Sequence, residues 1–235
     1  MDVGFSPRRT TVLDNAIDGA GFVDDLNSWS TEDVTLGARA LGLQADSQVA
    51  IYCGSLYADK RIDTLLESAD LIRRRLPNFH LLVIGSGPEA EAVADAAKTR
   101  PWLHPLGIQN GRSKAKYFRM AQLMLNPGLV GLHVVDAFVA RTPLVTQASA
   151  RHSPEYAYLV HNRNGWVVDN DGAAAYADAV VKIFSSTTLL SEMAEQCALE
   201  AKRYTLDNMV ENFAQGVVAC LRSHGRYHGN GGIPS

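Results

Sequence analysis

One carboxylate, Asp136, stands alone in the apolar run from Val134 to Phe138, immediately after the glycine-rich stretch "NPGLVGL" that begins at Asn126. Burying such a charge without a partner costs several kcal/mol or forces the carboxyl toward neutrality. Asp136 therefore meets solvent, is favoured by the dipole of a helix N-terminus, or is held for a partner. A second charged feature is Asp59-Lys60-Arg61 inside "GSLYADKRIDTLLE", which runs from Gly54 to Glu67. Its two cations fall between a glycine and the start of an amphipathic run. Basic side chains beside helix N-terminal amides form an anion site, most simply for phosphate, and the plainer reading is a solvated loop.

Other motifs say less. "VIGSGPEAE" is formally a GxGxxA between a strand and a helix, with Pro88 suited to a first helical turn, which opens a nicotinamide-cofactor reading. Against it, the motif follows the second strand rather than the first, and the next strand, "WLHPLG", ends without an acid for the adenosine ribose. There is no GxxxxGK[ST], GxSxG or HExxH in the chain. Asp169-Asn170-Asp171 has the DxD spacing of metal-nucleotide sites, but the favoured reading is a turn followed by a helix N-cap. Arg73 to Arg75 close a helical run, where cations complement the dipole. Arg112, Lys114, Lys116 and Arg119 read as a solvated helix face rather than a binding patch.

The elements that must position these residues are legible from Val49 onward. Short apolar runs end at Gly54, Gly85, Gly107 and Gly128, and "PLVT" and "WVV" add two more, giving six strands. Between them lie stripes at helical spacing such as Ile62, Leu65, Leu66, Ala69, Ile72 and Leu76, so the connections are crossovers and the sheet is parallel. The class is α/β, a Rossmann-like doubly wound sheet. In such folds ligands sit beyond the carboxyl ends of the strands, which makes the loops opening at those four glycines the place to search. Helical runs from about residue 173 to 184, 189 to 203 and 208 to 221 are expected to pack on the sheet.

With 46% hydrophobic and 20% charged residues among 235, the chain reads as an ordinary globular protein. A balance of 22 basic to 25 acidic residues gives no field of the kind that nucleic acid or anionic membrane recruits. Cys53, Cys197 and Cys220 form no CxxC pair and suggest neither a disulfide framework nor a metal site. No apolar run is long enough for an integral membrane segment, and the charged N-terminus lacks a signal-peptide core, so the cytoplasm is the expected location. The Gly-rich C-terminus reads as a frayed tail.

Taken in order, "TVLDNAID", "GSLYADKRIDTLLESADLI", "LLVIGSGPE", "NPGLVGLHVVDAFVARTPLVT", "HSPEYAYLV" and "NRNGWVV" resemble the nucleotide-sugar-binding half of the family-four, GT-B-fold, retaining glycosyltransferases. The resemblance runs from about Thr11 to Arg203. It implies a hinge-like segment over residues 1–20, a nucleotide-sugar-binding domain over 21–222 and a tail over 223–235. It further implies that Lys60 contacts the donor diphosphate, with Arg61 compensating for Ser55, where many relatives carry an Arg. Gly54, Gly85 and Gly87 would line the nucleotide cleft, and Leu106 and Gly107 would lie against the base. The amides of Gly131 and Leu132 would face phosphate or sugar, and Glu155 would open a helix beneath the cleft. Asp136 matches the acid that binds the ribose hydroxyls, a role for which a carboxylate is suited because it accepts two hydrogen bonds from a vicinal diol.

The sequence departs from that family at two points. Gly128 stands where the family's first Glu touches the donor sugar, which implies fewer polar contacts to the sugar. The acceptor-binding domain has no counterpart, so transfer is expected to need a separate domain or partner. No metal and no cofactor beyond the donor substrate is implied, and no residue is assigned as catalytic. The alternatives are a non-catalytic nucleotide-sugar-binding module or remnant and, less favoured, a sugar-nucleotide epimerase.

Overall fold

A computed structural model describes residues 10–223; the expected tail, apart from Ser223, lies outside the described residues. Residues 10–18 carry neither helix nor strand. The order is then α1 (Gly19–Asn27), α2 (Thr31–Ala40), β1 (Gln48–Cys53), α3 (Ile62–Arg75), β2 (Phe79–Ile84), α4 (Ala90–Ala97), β3 (Leu103–Gly107), α5 (Gly111–Phe118) and β4 (Leu123–Leu125). It continues with α6 (His133–Val139), β5 (Leu144–Gln147), β6 (Gly165–Val168), α7 (Ala173–Phe184), α8 (Thr187–Ala201) and α9 (Leu206–Ser223). Short 3-10 turns cover Ala58–Lys60 and Pro154–Tyr158.

The six strands form one parallel sheet in the order β3-β2-β1-β4-β5-β6. A parallel strand covered on both faces reads as a continuous apolar run, and Val49, Ala50, Ile51 and Tyr52 of β1 are all buried. Alternate side chains serve opposite layers. Ala50 and Tyr52 join Leu65 of α3, Val93 of α4 and Val180 of α7, while Val49 and Ile51 join Phe22 of α1, Phe118 of α5, Val135 of α6 and Cys197 of α8. Each large apolar side chain taken fully from water in these layers contributes about 1.5–3 kcal/mol.

Three local expectations are corrected. Asp171 is not the N-cap of α7: that residue is Gly172, at φ 103°, and the Asp171 carboxylate is turned toward Arg61. Pro88 lies in the turn before α4, which opens two residues later at Ala90. Finally, α9 does not pack on the sheet. None of its residues is buried, and Leu206, Val210, Phe213, Val217 and Leu221 form an exposed stripe. Its described contacts run to the chain beside it, where Asn212 donates to the Leu13 carbonyl at 3.2 Å and Asn208 donates to the Arg203 carbonyl at 2.8 Å.

Candidate functional site

The strand order reverses direction between β1 and β4, and the crevice beyond that point is where a doubly wound sheet takes a ligand. A cleft of about 340 Å³ opens there, walled by Ser55, Gly85 and Ser86 on one side, Gln109 on another, and His133 and Asp136 of α6. A larger cavity of about 510 Å³ lies between the start of α1 and the ends of α6 and α8, and no strand end reaches it.

Asp136 has a partner. It is 8% exposed, and Lys114 Nζ of α5 donates to its Oδ1 at 2.8 Å. Burial pushes the carboxyl above its usual value, and the adjacent ammonium opposes that rise. The solvated face expected for α5 is therefore corrected at Lys114 and Lys116, which are half-buried, while Arg112 and Arg119 are exposed as expected. Lys114 also sits 4.3 Å above the Phe22 ring, Arg112 and Lys116 cover Trp29, and Arg119 donates to the Leu26 carbonyl. Beside this pair, burial and the Asp136 charge push the Cys53 thiol up to about 12, which leaves it protonated and unreactive.

Lys60 ends the first 3-10 turn and donates to the Leu129 carbonyl at 2.5 Å; burial lowers its pKa to about 8. The same carbonyl accepts from Asn126 Nδ2 at 2.9 Å, and that nitrogen lies 2.8 Å from His133 Nε2. Burial, reinforced by Lys60 and His152, pushes the His133 imidazole down to about 3. Arg61 does not extend this cationic site as anticipated. It holds a left-handed backbone, φ 53°, and its guanidinium reaches Gln147 Oε1 at 2.9 Å, Ser149 Oγ at 3.0 Å and Asp171 Oδ1 at 3.0 Å.

The strand-end glycines do different jobs. A Cβ on Gly85 would lie 1.9 Å from the Gly54 carbonyl oxygen, and one on Gly87 would lie 2.4 Å from that of Leu56. Their absence lets the loops after β1 and β2 continue the sheet, with Leu56 N–H donating to the Ser86 carbonyl at 2.8 Å. Gly54 and Gly85 border the cleft, whereas Gly87 is not part of its lining. Gly107 ends β3 at φ 64°, and Leu106 packs against the core, so the wall at that strand's end is made by Ile108, Gln109 and Asn110.

Gly128 is filled from the other side: a Cβ there would stand 2.3 Å from the Asp59 carbonyl oxygen and 2.3 Å from the Lys60 carbonyl carbon. Gly131, by contrast, has nothing nearer than Ser153 Oγ at 3.8 Å, and Leu132 is the N-cap residue of α6. Glu155 lies in the second 3-10 turn, is buried, and accepts from Asn15 Nδ2 at 2.9 Å, which ties it to the segment before α1. The sequence reading missed Lys114, His133, Ser86 and Gln109. The two-residue offset of Gln109 from the strand-end Gly107 was the available signal for one of them. No group of three or more metal-ligating side chains converges among the described residues, and none of their helices is long and apolar enough to cross a membrane.

Residues 47–186 match the family described as glycosyl transferases group 1. Among curated relatives, the chain is 26% identical over 127 residues to alpha-monoglucosyldiacylglycerol synthase of Acholeplasma laidlawii, covering 52% of this chain and 32% of that protein. It is 25% identical over 199 residues to the D-inositol 3-phosphate glycosyltransferase of Corynebacterium urealyticum, covering 79% and 46% respectively. The chain thus spans less than half the length of these two relatives. Among solved structures, Anabaena HepE in complex with UDP-glucose aligns with a TM-score of 0.71 at 15% identity, over 87% of this chain and 56% of that one. The C-terminal domain of the group 1 glycosyl transferase LpcC from Francisella tularensis aligns at 0.61 and 16% identity, over 81% of this chain and 99% of that one. At these identities the likeness carries the fold, that of one half of a GT-B glycosyltransferase.

Proposed function

The chain belongs to the group 1 glycosyl transferases, and from that premise we propose that it is the donor-binding half of a retaining glycosyltransferase, taking a nucleoside-diphosphate sugar and working with an acceptor-binding domain or subunit. The observation that carries this reading is the pairing of Lys114 with Asp136 in the wall of the strand-end cleft, with His133 one helical turn before Asp136 and Lys60 beside His133. Asp136 offers its second oxygen to a ribose diol. The Lys60 ammonium supplies the charge for the diphosphate, which must be held while an acceptor hydroxyl attacks the anomeric carbon and the diphosphate leaves. The binding of UDP-glucose by HepE supports the ligand class. No side chain of this chain is assigned as general base, and the acceptor is assigned to the second half.

A thermal-shift panel of UDP-, GDP- and ADP-sugars with the bare diphosphates tests the reading. A ligand at about 100 times its dissociation constant stabilises by about 2.7 kcal/mol, and failure of the whole panel to raise the melting temperature sinks it. A second reading, a nucleotide-binding module without transfer activity, draws on Gly128, because the Asp59–Lys60 backbone occupies the space a sugar-binding carboxylate needs. That reading requires equal affinity for the diphosphate and its sugar-linked form.

A further inference from the structure

Asn126 is fully buried at the end of β4, and its Oδ1 is the one buried side-chain nitrogen or oxygen atom among the described residues without a hydrogen-bond partner. An orphaned acceptor costs stability, so its retention calls for a reason in the other half of the amide. That half is fully used. Nδ2 donates to the Leu129 carbonyl at 2.9 Å and lies 2.8 Å from His133 Nε2. Rotating the amide would set Oδ1 against the Leu129 oxygen, acceptor against acceptor, so the orientation is fixed by chemistry. Nε2 must then be the acceptor, and the neutral imidazole carries its proton on Nδ1.

No described residue accepts from Nδ1, and the imidazole forms part of the cleft wall. The charged and titratable groups around it are Lys60 and His152, which both disfavour an imidazolium, and Asp136 one turn along α6, already held by Lys114. His152 is itself engaged, accepting from the Val130 N–H at 3.1 Å and lying 2.8 Å from the Gln147 carbonyl. With a ribose at Asp136 and a diphosphate drawn by Lys60, as proposed above, the group that would reach His133 is the phosphate nearest the ribose.

We infer that His133 donates a hydrogen bond from Nδ1 to the ribose-proximal phosphate of the donor nucleotide, a specificity-determining residue whose tautomer Asn126 fixes. The inference rests on the donor-binding reading above. A directional donor at this point ranks nucleotides above nucleosides.

Two measurements on the full chain test it. Long-range proton–nitrogen spectra of the ligand-free, histidine-labelled protein report the tautomer directly: His133 holds its proton on Nδ1 and does not titrate between about pH 5 and pH 8, and Asn126→Leu removes that constraint. Calorimetry with uridine, UMP and UDP, and with guanosine, GMP and GDP in parallel, reads the contact. His133→Phe weakens the mono- and diphosphate of the accepted base by about tenfold and leaves the nucleoside unchanged; His133→Asn, whose amide nitrogen falls near Nδ1, retains most of the affinity. An Nε2-protonated or titrating His133, or a His133→Phe variant that binds nucleoside and nucleotide with unaltered preference, overturns the inference. If the wild type binds neither of these diphosphates nor ADP, the donor-binding reading falls first and takes this inference with it.

Discussion

Lys114 and Asp136, 22 positions apart in sequence, meet at 2.8 Å across the α5–α6 interface, with side chains 20% and 12% exposed. Neither charge is comfortable alone. The ammonium lies over the Phe22 ring, and the carboxylate belongs to a helix whose neighbouring residues Val134, Val135 and Ala137 are all buried. Breaking such a pair leaves an uncompensated buried charge, a change that costs more than the pair itself contributes.

Lys114→Met is therefore predicted to destabilise the fold by about 3 kcal/mol near neutral pH. The sign with pH follows from the raised Asp136 pKa. Just above the ordinary carboxylate value the folded chain binds more protons than the unfolded one, so stability falls as pH rises through that window. Removing Lys114 deletes the opposing charge and extends the window upward, so the penalty shrinks as the solution is acidified. Urea denaturation from about pH 4 to pH 8 measures it, and Asp136→Asn in the same background should recover much of the loss.

In the wild-type pair, the second oxygen of Asp136 remains for a ligand. Asp136→Asn should weaken a ribonucleotide by about 1.5–3 kcal/mol and its 2'-deoxy counterpart, which keeps only the 3'-hydroxyl, by less. Equal losses for both in calorimetry would show that the residue only supports the fold.

Much of this arrangement was readable in the chain and some was not, for physical reasons. The strands were legible as short, mainly apolar runs, the pattern that burial on both faces imposes on β1 and β4 at the centre of the sheet, and Gly54, Gly85 and Gly107 mark where three runs stop. Lys114 was misread because a lysine among Arg112, Lys116 and Arg119 looks solvated until Trp29 and Phe22 arrive from α1 and the turn after it. Arg61 was misread for a similar reason. Its partners Gln147, Ser149 and Asp171 come from the far half of the sheet, and nothing local announces them. The stripe of α9 was correctly periodic, but periodicity records an apolar face without saying what covers it.

Lys60 offers a test that separates charge from structure. Burial lowers its pKa from 10.5 to about 8, so between those values the folded chain holds fewer protons than the unfolded one and stability rises with pH. A bound diphosphate reverses the preference by favouring the ammonium. Titrations near that pKa in buffers of differing ionisation heat should show net proton uptake on binding. Lys60→Ala should abolish the uptake and weaken the diphosphate by about 1.5–3 kcal/mol with nucleoside affinity unchanged. Proton release, or no exchange, contradicts a phosphate contact at Lys60.

Gly128 is where sequence and geometry part most sharply. As the counterpart of a sugar-binding Glu, it invites the restoring substitution Gly128→Glu. The geometry argues for the opposite result. Its φ is not left-handed, so the backbone would tolerate a side chain, but the space for one is taken by the Asp59 carbonyl and the Lys60 backbone at 2.3 Å. The contact is with main chain rather than the end of a flexible side chain, so it cannot relax without moving the turn that carries Lys60. Gly128→Ala should therefore cost about 1–3 kcal/mol of stability, as overpacking does, and should weaken diphosphate binding in step. Gly128→Glu should do the same and gain nothing for the sugar nucleotide. Gly131→Ala, with its nearest neighbour at 3.8 Å, is the control and should leave stability nearly unchanged. If Gly128→Ala melts like wild type and binds the diphosphate equally well, the close approach of Asp59 and Lys60 is not what fixes a glycine at this position.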